Sequence, residues 1–212
     1  MSENRSDVFQ DTWVFVVDDD CRYVGALRSL LTVKGYRVAV FTSPVQFLDQ
    51  HDPRLCGCLL LDLQMSELSG LEVQSKLATL GESRPVVFLT GTDCADTAVS
   101  AMKGGAYDYL VKPVDADVVL DVVQSAIEAD KVRLKRRLEA SDLMDRWRRL
   151  SRRERDVFWH VTNGRLNKQI AHSLQITEKT VKVHRAHVMK KLKVRSAAAL
   201  AYMAGRIQPL CH

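Results

Sequence analysis

Residues 13–20 read Trp-Val-Phe-Val-Val-Asp-Asp-Asp, a short apolar run followed at once by three acidic residues. The apolar part is rich in β-branched and aromatic side chains, which are typical of a buried strand. Polar residues at positions 62, 90 and 112 also end or directly follow short runs of strand-forming residues. The four predicted strands are Trp13–Val17, Gly57–Leu61, Pro85–Leu89 and Tyr107–Val111.

In an open α/β sheet the carboxyl ends of parallel strands line one crevice. We therefore expect Asp18, Asp19, Asp62, Thr90 and Lys112 to converge on one site. Clustered carboxylates repel one another, and a hard divalent cation held by oxygen ligands relieves that repulsion. The lysine supplies a positive charge for a phosphoryl group, and the threonine supplies a hydroxyl that can hydrogen-bond to it. The pattern predicts phosphoryl transfer onto an aspartate.

This arrangement resembles the receiver domain of two-component response regulators. The matching segments are Val17-Asp18-Asp19, Leu61-Asp62, Leu89-Thr90-Gly91, Tyr109 and Val111-Lys112-Pro113. The resemblance implies an α/β domain with a five-stranded parallel sheet, doubly wound as in flavodoxin, over residues 1–126. It also implies a cis peptide bond before the proline of the lysine motif.

The same resemblance implies a role for each residue of the site. Mg²⁺ would be held by Asp18, Asp19, Asp62 and the main-chain carbonyl of Gln64. Asp62 would be the phosphoacceptor, assisted by Lys112, while Thr90 and Tyr109 would act as the conformational switch.

Two positions near the site depart from the family pattern. Family members usually have a proline where Ser66 stands and a small residue such as alanine where Gly91 stands. We expect Ser66 to make the loop after Asp62 more flexible and Gly91 to open space beside the phosphoryl group. Both changes bear on the lifetime of the phosphate more than on its formation.

Composition places the protein among soluble, cytoplasmic chains of two domains. Its 212 residues suffice for one domain of ordinary size and a smaller one. No apolar run approaches the roughly 20 residues needed to cross a bilayer, and the N-terminus lacks the apolar segment of a signal peptide. The cysteines are odd in number, lack Cys-x-x-Cys spacing, and are predicted to be reduced thiols. They are Cys21, Cys56, Cys58, Cys94 and Cys211.

Charge is distributed unevenly along the chain. Residues 1–120 hold 10 Lys and Arg against 17 Asp and Glu, whereas residues 121–212 hold 21 against 9. A basic half that also shows a compact fold pattern favours nucleic acid over membrane as its partner. The alternative is a solvated basic surface without a partner.

Between the two halves, one apolar helix face continues from Val119 through Ile127 to Leu138 without a Gly or Pro. We expect a continuous helix, with residues 127–145 as a linker between domains 1–126 and 146–212. Its short stretch of coiled-coil-like spacing fits pairing with a second copy, and a helix lying along its own domains fits as well.

Four short helices are predicted after the linker. Ser151 and Glu154 form a capping box, and Asn163-Gly164 ends that first helix. The second helix covers Asn167–Leu174, and after a tight break Thr177 caps a third helix that ends near Leu192. The last helix starts at Ser196 and is closed by Gly205. Two helices separated by such a break describe a helix-turn-helix domain.

The third of these helices has two distinct faces. Its predicted buried stripe comprises Ile176, Val181, Val188, Met189 and Leu192. The opposite face is basic, with Glu178 as its only acid, and comprises Lys179, Lys182, His184, Arg185, Lys190 and Lys191. Such a face suits the phosphate-walled major groove of DNA.

Three segments, Leu150–Val157, Asn167–Ala171 and Thr177–Arg185, closely resemble the LuxR-type DNA-binding domain. Together with the receiver-like part, the chain is similar to FixJ-type regulators of the FixJ/NarL group. The resemblance implies that Lys182 and Val183 read bases, and that other residues lie near the groove or contact the DNA backbone. Those others are Lys168, Thr177, Lys179, Thr180, His184, Arg185, Lys190 and Lys191.

The combined resemblance predicts a regulator rather than an enzyme. A sensor histidine kinase would phosphorylate Asp62, and the protein would then form a homodimer, bind double-stranded promoter DNA and work with RNA polymerase. One alternative is a regulator that uses its receiver only for dimerisation, independently of phosphate. A phosphatase acting through an aspartyl intermediate, as in the haloacid-dehalogenase family, is disfavoured because Asp62-Leu-Gln64 lacks that family's second carboxylate.

Overall fold

The computed structural model describes residues 12–91 and 94–208 of the chain. Strands and helices alternate in its first part. In chain order they are β1 (Trp13–Val17), α1 (Cys21–Val33), β2 (Arg37–Phe41), α2 (Pro44–Gln50), β3 (Gly57–Asp62), α3 (Gly70–Thr79), β4 (Val86–Thr90), α4 (Ala95–Lys103), β5 (Asp108–Val111) and α5 (Ala116–Arg148). The strands form one parallel sheet in the order β2-β1-β3-β4-β5, which confirms the predicted fold.

The strand boundaries differ from the predicted ones by one residue or none. β1 agrees, and β3 extends one residue further because Asp62 pairs with Leu89 of β4. β4 begins after Pro85, which has no N–H for the ladder, although its carbonyl accepts the Leu59 N–H at 2.9 Å. The strand β2 was not identified from the sequence.

The sheet is covered on both faces. Along β1, Val14 and Val16 belong to one hydrophobic core, while Phe15 and Val17 belong to another. This alternation follows from the two-residue repeat of a strand, which sends neighbouring side chains to opposite faces. The carboxyl end of the sheet, between the two layers of helices, is therefore the place where polar residues gather.

The second part of the chain is helical. Its helices are α6 (Arg152–Thr162), α7 (Asn167–Leu174), α8 (Glu178–Leu192) and α9 (Ala197–Ile207). They enclose one core that includes Phe158, Ile170 and Val181, and the end of α5 contributes Leu143 and Trp147 to it. This confirms the predicted four-helix domain joined to the receiver-like part by a long helix.

Local capping signals placed most of these helix ends correctly. The predicted capping box of Ser151 and Glu154 is present, and Asn163 is the C-cap of α6. Thr177 caps α8, which ends at Leu192 as expected. The prediction that Gly205 closes the last helix was wrong.

Helix α9 continues through Gly205 to Ile207. Ile207 is fully buried in the helical core, and a side chain at the glycine would meet nothing within 4 Å. Burial of the isoleucine therefore outweighs the weak helix preference of one exposed glycine.

The chain divides into two compact units, Met1–Leu134 and Lys135–His212. Within the predicted linker 127–145, Ile127 is buried in a core of the first unit and Leu143 in the core of the second. The linker boundaries stay a prediction. Among the described residues, no helix is both long enough and apolar enough to cross a membrane.

The thiols Cys21, Cys56, Cys58 and Cys94 are free. Cys211, also predicted to be reduced, lies outside the described residues.

Candidate functional site

The acidic residues expected at the ends of the strands lie together. Asp18 and Asp19 follow β1, and Asp62 ends β3, with Val17 paired to Leu61 between them. Ligand oxygens of the three carboxylates lie within 4.8 Å of one another. Asp18 and Asp62 are 3% and 6% exposed, whereas Asp19 is exposed. The cluster is thus open to solvent on one side.

Lys112, directly after β5, joins two of these acids. Its Nζ lies 2.5 Å from Asp18 Oδ2 and 2.8 Å from Asp62 Oδ1. The ammonium also lies 4.3 Å from the centre of the Tyr23 ring. The peptide bond from Lys112 to Pro113 is cis. One ammonium cannot neutralise three carboxylates, so the site keeps a negative charge that favours a cation.

The surroundings of Asp62 and Lys112 change the pKa of both groups. Burial raises the pKa of the Asp62 carboxyl, the lysine lowers it, and the charge of Asp18 raises it, with a net increase. Burial lowers the pKa of Lys112, but its hydrogen bonds to Asp18 and Asp62 outweigh burial and leave the pKa raised. Asp62 is therefore more easily protonated than an exposed aspartate, and Lys112 keeps its charge at neutral pH.

Main-chain N–H groups donate to one oxygen of each carboxylate in the acidic cluster. Asp18 Oδ1 accepts from the Asp20 N–H at 2.9 Å, and Asp62 Oδ2 accepts from the Gln64 N–H at 2.8 Å. Asp19 Oδ2 accepts from the Ser66 N–H at 3.2 Å. Asp19 Oδ1 has no hydrogen-bond partner within residues 12–91 and 94–208.

The donor set of this cluster fits Mg²⁺. It consists of carboxylate oxygens, which this hard cation prefers, and the cluster carries an excess of negative charge. Asp18, Asp19 and Asp62 are the residues able to hold the ion directly. Gln64 has an exposed side chain, and only its main-chain carbonyl was predicted as a ligand.

The two predicted switch residues share a small cavity next to the acidic cluster. Thr90 ends β4 and is 1% exposed, while Tyr109 lies in β5 and is half-buried. Both line a cavity of about 150 Å³ to which Cys94 and Thr97 also contribute. The last two residues were not predicted, because their approach depends on how α4 packs and leaves no local signal. A Cβ at Gly91 would meet none of the described residues within 4 Å.

Gly70 is a further residue of the site that the sequence did not reveal. A Cβ at this position would lie 2.4 Å from the Asp62 carbonyl oxygen and 2.9 Å from Phe88 Cε1. The first residue of α3 therefore approaches the main chain of Asp62 more closely than any side chain permits. Sequence alone marks a glycine here but does not indicate its neighbour.

The helix-turn-helix forms in α7 and α8. Gln175 ends α7 in the left-handed region with φ 53°, and Thr177 then caps α8 by accepting the Thr180 N–H at 3.1 Å. Val181, Val188 and Leu192 of the predicted apolar stripe are buried. Ile176 and Met189, the other two members, are partly buried against the same core.

The predicted DNA-contacting residues fall into two groups. Six are exposed, namely Lys168, Thr177, Lys179, Lys182, Val183 and Lys190. The other four are half-buried, namely Thr180, His184, Arg185 and Lys191. The exposed side chains, four of which are lysines, are accessible to a polyanion.

Two of the half-buried residues have protein partners. Lys191 Nζ lies 2.6 Å from Glu154 Oε2 and 3.1 Å from the Arg149 carbonyl oxygen. Arg185 Nη1 donates to Asn167 Oδ1 at 2.7 Å. These side chains brace α8 against α6 and α7, a role that was not predicted because it needs the tertiary arrangement of the helices.

Comparison with known proteins agrees with both parts of the fold. The family pattern of the response regulator receiver domain matches residues 14–124, and that of the bacterial regulatory proteins of the luxR family matches residues 148–204. Response regulator protein TmoT of Ectopseudomonas mendocina is 40% identical over 199 residues, which cover 94% of this chain and 90% of TmoT.

Two further proteins are similar over most of the chain. Transcriptional regulatory protein FixJ of Rhizobium meliloti (strain 1021) is 36% identical over 194 residues, covering 92% of this chain and 95% of FixJ. The solved structure of response regulator StyR has a TM-score of 0.86 at 37% identity and covers 92% of this chain and 99% of StyR. The chain therefore belongs to the two-component response regulators of the FixJ/NarL family, which join a receiver domain to a LuxR-type DNA-binding domain and regulate transcription.

Proposed function

We propose that Asp62 accepts a phosphoryl group from a phosphohistidine of a partner sensor histidine kinase, and that phosphorylation controls promoter binding. The observation that carries this proposal is the bridge from Lys112 to Asp18 and Asp62 within a cluster of three carboxylates. This arrangement supplies a nucleophile, a cation beside it and oxygen ligands for a metal.

The transfer exchanges one bond to phosphorus for another. A carboxylate oxygen of Asp62 attacks the phosphorus, the P–N bond to the kinase histidine breaks, and the imidazole leaves with the electron pair. Asp18, Asp19, Asp62 and the Gln64 carbonyl would hold Mg²⁺, which would supply positive charge to offset the negative charge of the transfer. Lys112 donates to a phosphoryl oxygen in place of its present bond to Asp62.

The conformational switch is driven by the phosphoryl oxygens newly attached to Asp62. The Thr90 hydroxyl moves toward the phosphoryl group, and the Tyr109 ring turns into the space that the threonine leaves. The shared cavity supports this step because it provides room between the two side chains. The change would reach the face formed by α4 and β5, because Tyr109 lies in β5 and Thr90 pairs with Val111 of that strand.

That face is the proposed contact of the activated homodimer. Its exposed apolar residues include Val99, Met102, Tyr107 and Val111, which are 52%, 49%, 37% and 38% exposed. Phosphorylation would shift an existing equilibrium toward the form in which this face pairs with a second copy. Pairing through linker residues 127–145 is the alternative suggested by the sequence.

In the dimer, two α8 helices would enter the major groove at half-sites about one DNA turn apart. Lys182 and Val183 would read bases, and Lys168, Thr177, Lys179, Thr180 and Lys190 would contact the backbone. His184 and Arg185 would lie at the edge of the groove. Lys191 would reach a phosphate only by leaving Glu154.

The proposal also includes the linker between the two domains, a contact with RNA polymerase and the extent of catalysis. The linker comprises residues 127–145 between domains 1–126 and 146–212, and promoter-bound protein contacts RNA polymerase in the cytoplasm. Catalysis is confined to the protein's own phosphorylation and dephosphorylation.

The proposal is tested by labelling the full chain with a small radioactive phosphodonor such as acetyl phosphate. We expect label that requires Mg²⁺, is lost in Asp62→Asn and is retained in Asp121→Asn, which changes an aspartate of α5 away from the cluster. Absence of label in the native protein, with binding to DNA intact, would favour a regulator that uses its receiver only for dimerisation.

A further inference from the structure

Hydrogen bonds at Ser66 and Glu67 join the loop between β3 and α3, residues 63–69, to parts of the chain that are distant in sequence. The Ser66 N–H donates to Asp19 Oδ2 at 3.2 Å. The Ser43 hydroxyl, at the start of α2, donates to Glu67 Oε2 at 2.5 Å. The first attachment ends on a predicted metal ligand, whereas the second ends on an exposed surface glutamate.

The bond from Ser66 leaves the two oxygens of Asp19 in different situations. Oδ2 is occupied by the N–H, and Oδ1 has no partner in the part of the chain that the structure describes. Because Asp19 is exposed, its side chain would otherwise sample several rotamers. The hydrogen bond selects one orientation and leaves one oxygen available within 4.8 Å of the other two acids.

The donor in this bond is a main-chain group, so its presence depends on one property of residue 66. Every residue except proline carries the N–H. The Ser66 side chain is exposed and makes no hydrogen bond that the described residues show. Serine at this position therefore acts through its backbone, and alanine would serve equally well.

We propose that Ser66 is a positioning residue of the metal site, whose N–H orients Asp19 for Mg²⁺ and couples loop 63–69 to the bound ion. The proposal rests on the proposed function, since it assumes that Asp19 is a metal ligand. Groups that hydrogen-bond to a ligand fix its orientation, and their loss typically weakens metal binding by about 10-fold to 100-fold. The dipole of the Ser66 N–H also stabilises the negative charge of Asp19 in a crowded acidic cluster.

The coupling acts in both directions. If Asp19 holds Ser66 and Mg²⁺ at once, binding of the ion must favour the loop position in which the N–H faces Asp19. Ordering of this loop affects Gln64, whose carbonyl is the proposed fourth ligand of the same ion. Ser66 thus stabilises the loop position in which its N–H faces Asp19, whereas the sequence predicted only a more flexible loop.

The test is calorimetric titration of the full chain with MgCl₂ alone, in the absence of any phosphodonor. We expect Ser66→Ala to bind like the native protein and Ser66→Pro to bind about tenfold more weakly. Ser43→Ala is the matched control, because it cuts the second attachment of the same loop without touching Asp19. Equal affinities of Ser66→Pro and native protein, or an equal loss in Ser43→Ala, would overturn the proposal.

Proline at position 66 also restricts Met65, so a second measurement keeps the serine in place. We expect the Ser66 amide proton to be protected from exchange in the native protein, to stay protected with saturating MgCl₂, and to exchange faster in Asp19→Ala. An exchange rate unchanged in Asp19→Ala would overturn the proposal. Failure of the native protein to bind Mg²⁺ would instead contradict the metal site of the proposed function, and this inference with it.

Discussion

At the scale of single residues, the receiver site depends on hydrogen bonds between groups that are far apart in the sequence. Lys112 bridges acids that lie 94 and 50 positions away, and Ser66 reaches an acid 47 positions away. The residue types and their places after strands are visible in the sequence. Which oxygen pairs with which donor depends on the strand order and the parallel register, because together they decide which strand ends lie side by side.

Replacement of Gly70 tests the close approach beside Asp62, the proposed phosphoacceptor. The added Cβ of Gly70→Ala would fall 2.4 Å from the Asp62 carbonyl oxygen, so the start of α3 or the end of β3 must shift. We expect a loss of about 2 kcal/mol in the free energy of unfolding, together with slower labelling of Asp62. Urea denaturation measures the first quantity and phosphodonor labelling the second.

Gly25→Ala is the control, because Gly25 lies inside α1 and a Cβ there meets nothing within 4 Å. It should leave labelling unchanged and raise the free energy of unfolding by roughly 0.5–1 kcal/mol, the usual gain of alanine over glycine in a helix. A Gly70→Ala protein as stable and as readily labelled as the control would show that the approach is not tight.

Glu154 should make the DNA-binding domain sensitive to acid. Burial would raise its pKa, but hydrogen bonds from Lys191 and Ser151 outweigh burial and hold the pKa below 4.5. Its ionised form therefore stabilises the fold fully above pH 4.5, and this stabilisation is lost as the pH falls through the lower folded pKa. Thermal unfolding followed by fluorescence of Trp147 and Trp159 should show a steep decline in stability below pH 4.5.

The Glu154→Gln variant should be less stable than the native protein at neutral pH by roughly 1.5–3 kcal/mol, the contribution of a hydrogen bond to a charged group. Its stability should fall less between neutral pH and pH 3 than that of the native protein. Parallel declines in the two proteins would exclude Glu154 as the responsible group.

At the scale of secondary-structure elements, the sequence predicted what local chemistry controls. Ser151, Thr177 and Ser196 cap their helices as expected, because an N-cap needs only a side-chain oxygen beside the first turn. Elements whose limits depend on packing were predicted less well. Gly205 lies inside α9 because Ile207 is buried, and the edge strand β2 was not identified.

Helix α5 is held in place by a buried residue that the sequence did not reveal. Its continuity was predicted from an apolar face without Gly or Pro, but the buried Asp130 was not singled out. Asp130 is 0% exposed, accepts the Gly57 N–H at 2.9 Å and accepts from Arg133 Nε at 2.6 Å. The carboxylate thus joins α5 to the start of β3, a contact that spans 73 positions and has no local sequence signal.

Removal of this anchor should destabilise the receiver domain. Asp130→Ala leaves the Gly57 N–H buried without an acceptor, and we expect a loss of about 3 kcal/mol in urea denaturation. Asp130→Asn keeps an acceptor oxygen and should lose less. Equal losses in the two variants would assign the effect to the negative charge of Asp130 and not to the N–H.

The recognition helix offers a prediction that separates two kinds of DNA contact. On a preferred duplex selected from a random pool, Lys168→Ala should reduce the salt dependence of binding by about one unit of slope, because one phosphate contact is lost. Lys182→Ala should weaken binding roughly tenfold and relax the preference for one base pair. Lys34→Ala, an exposed change in the receiver domain, should alter neither quantity. Identical behaviour of all three variants would contradict the assigned roles.

At the scale of the whole molecule, charge and fold divide the chain in the same way. The acidic part, residues 1–120, carries the predicted cation site, and the basic part, residues 121–212, carries the helix-turn-helix. The two units are compact in themselves, and α5 runs without interruption from one into the other. Such a molecule can couple chemistry at Asp62 to DNA binding only if phosphorylation changes an equilibrium that both units share.

The most direct test of this coupling is the affinity of the full chain for its selected duplex, measured with and without Mg²⁺ and a phosphodonor. Sedimentation on the same samples reports the oligomeric state, and Asp62→Ala is measured alongside the native protein. We predict tighter binding and dimer formation when both Mg²⁺ and phosphodonor are present, and loss of both effects in Asp62→Ala. Equal binding by both proteins in every condition would contradict a phosphorylation switch and leave a regulator that binds DNA independently of phosphate.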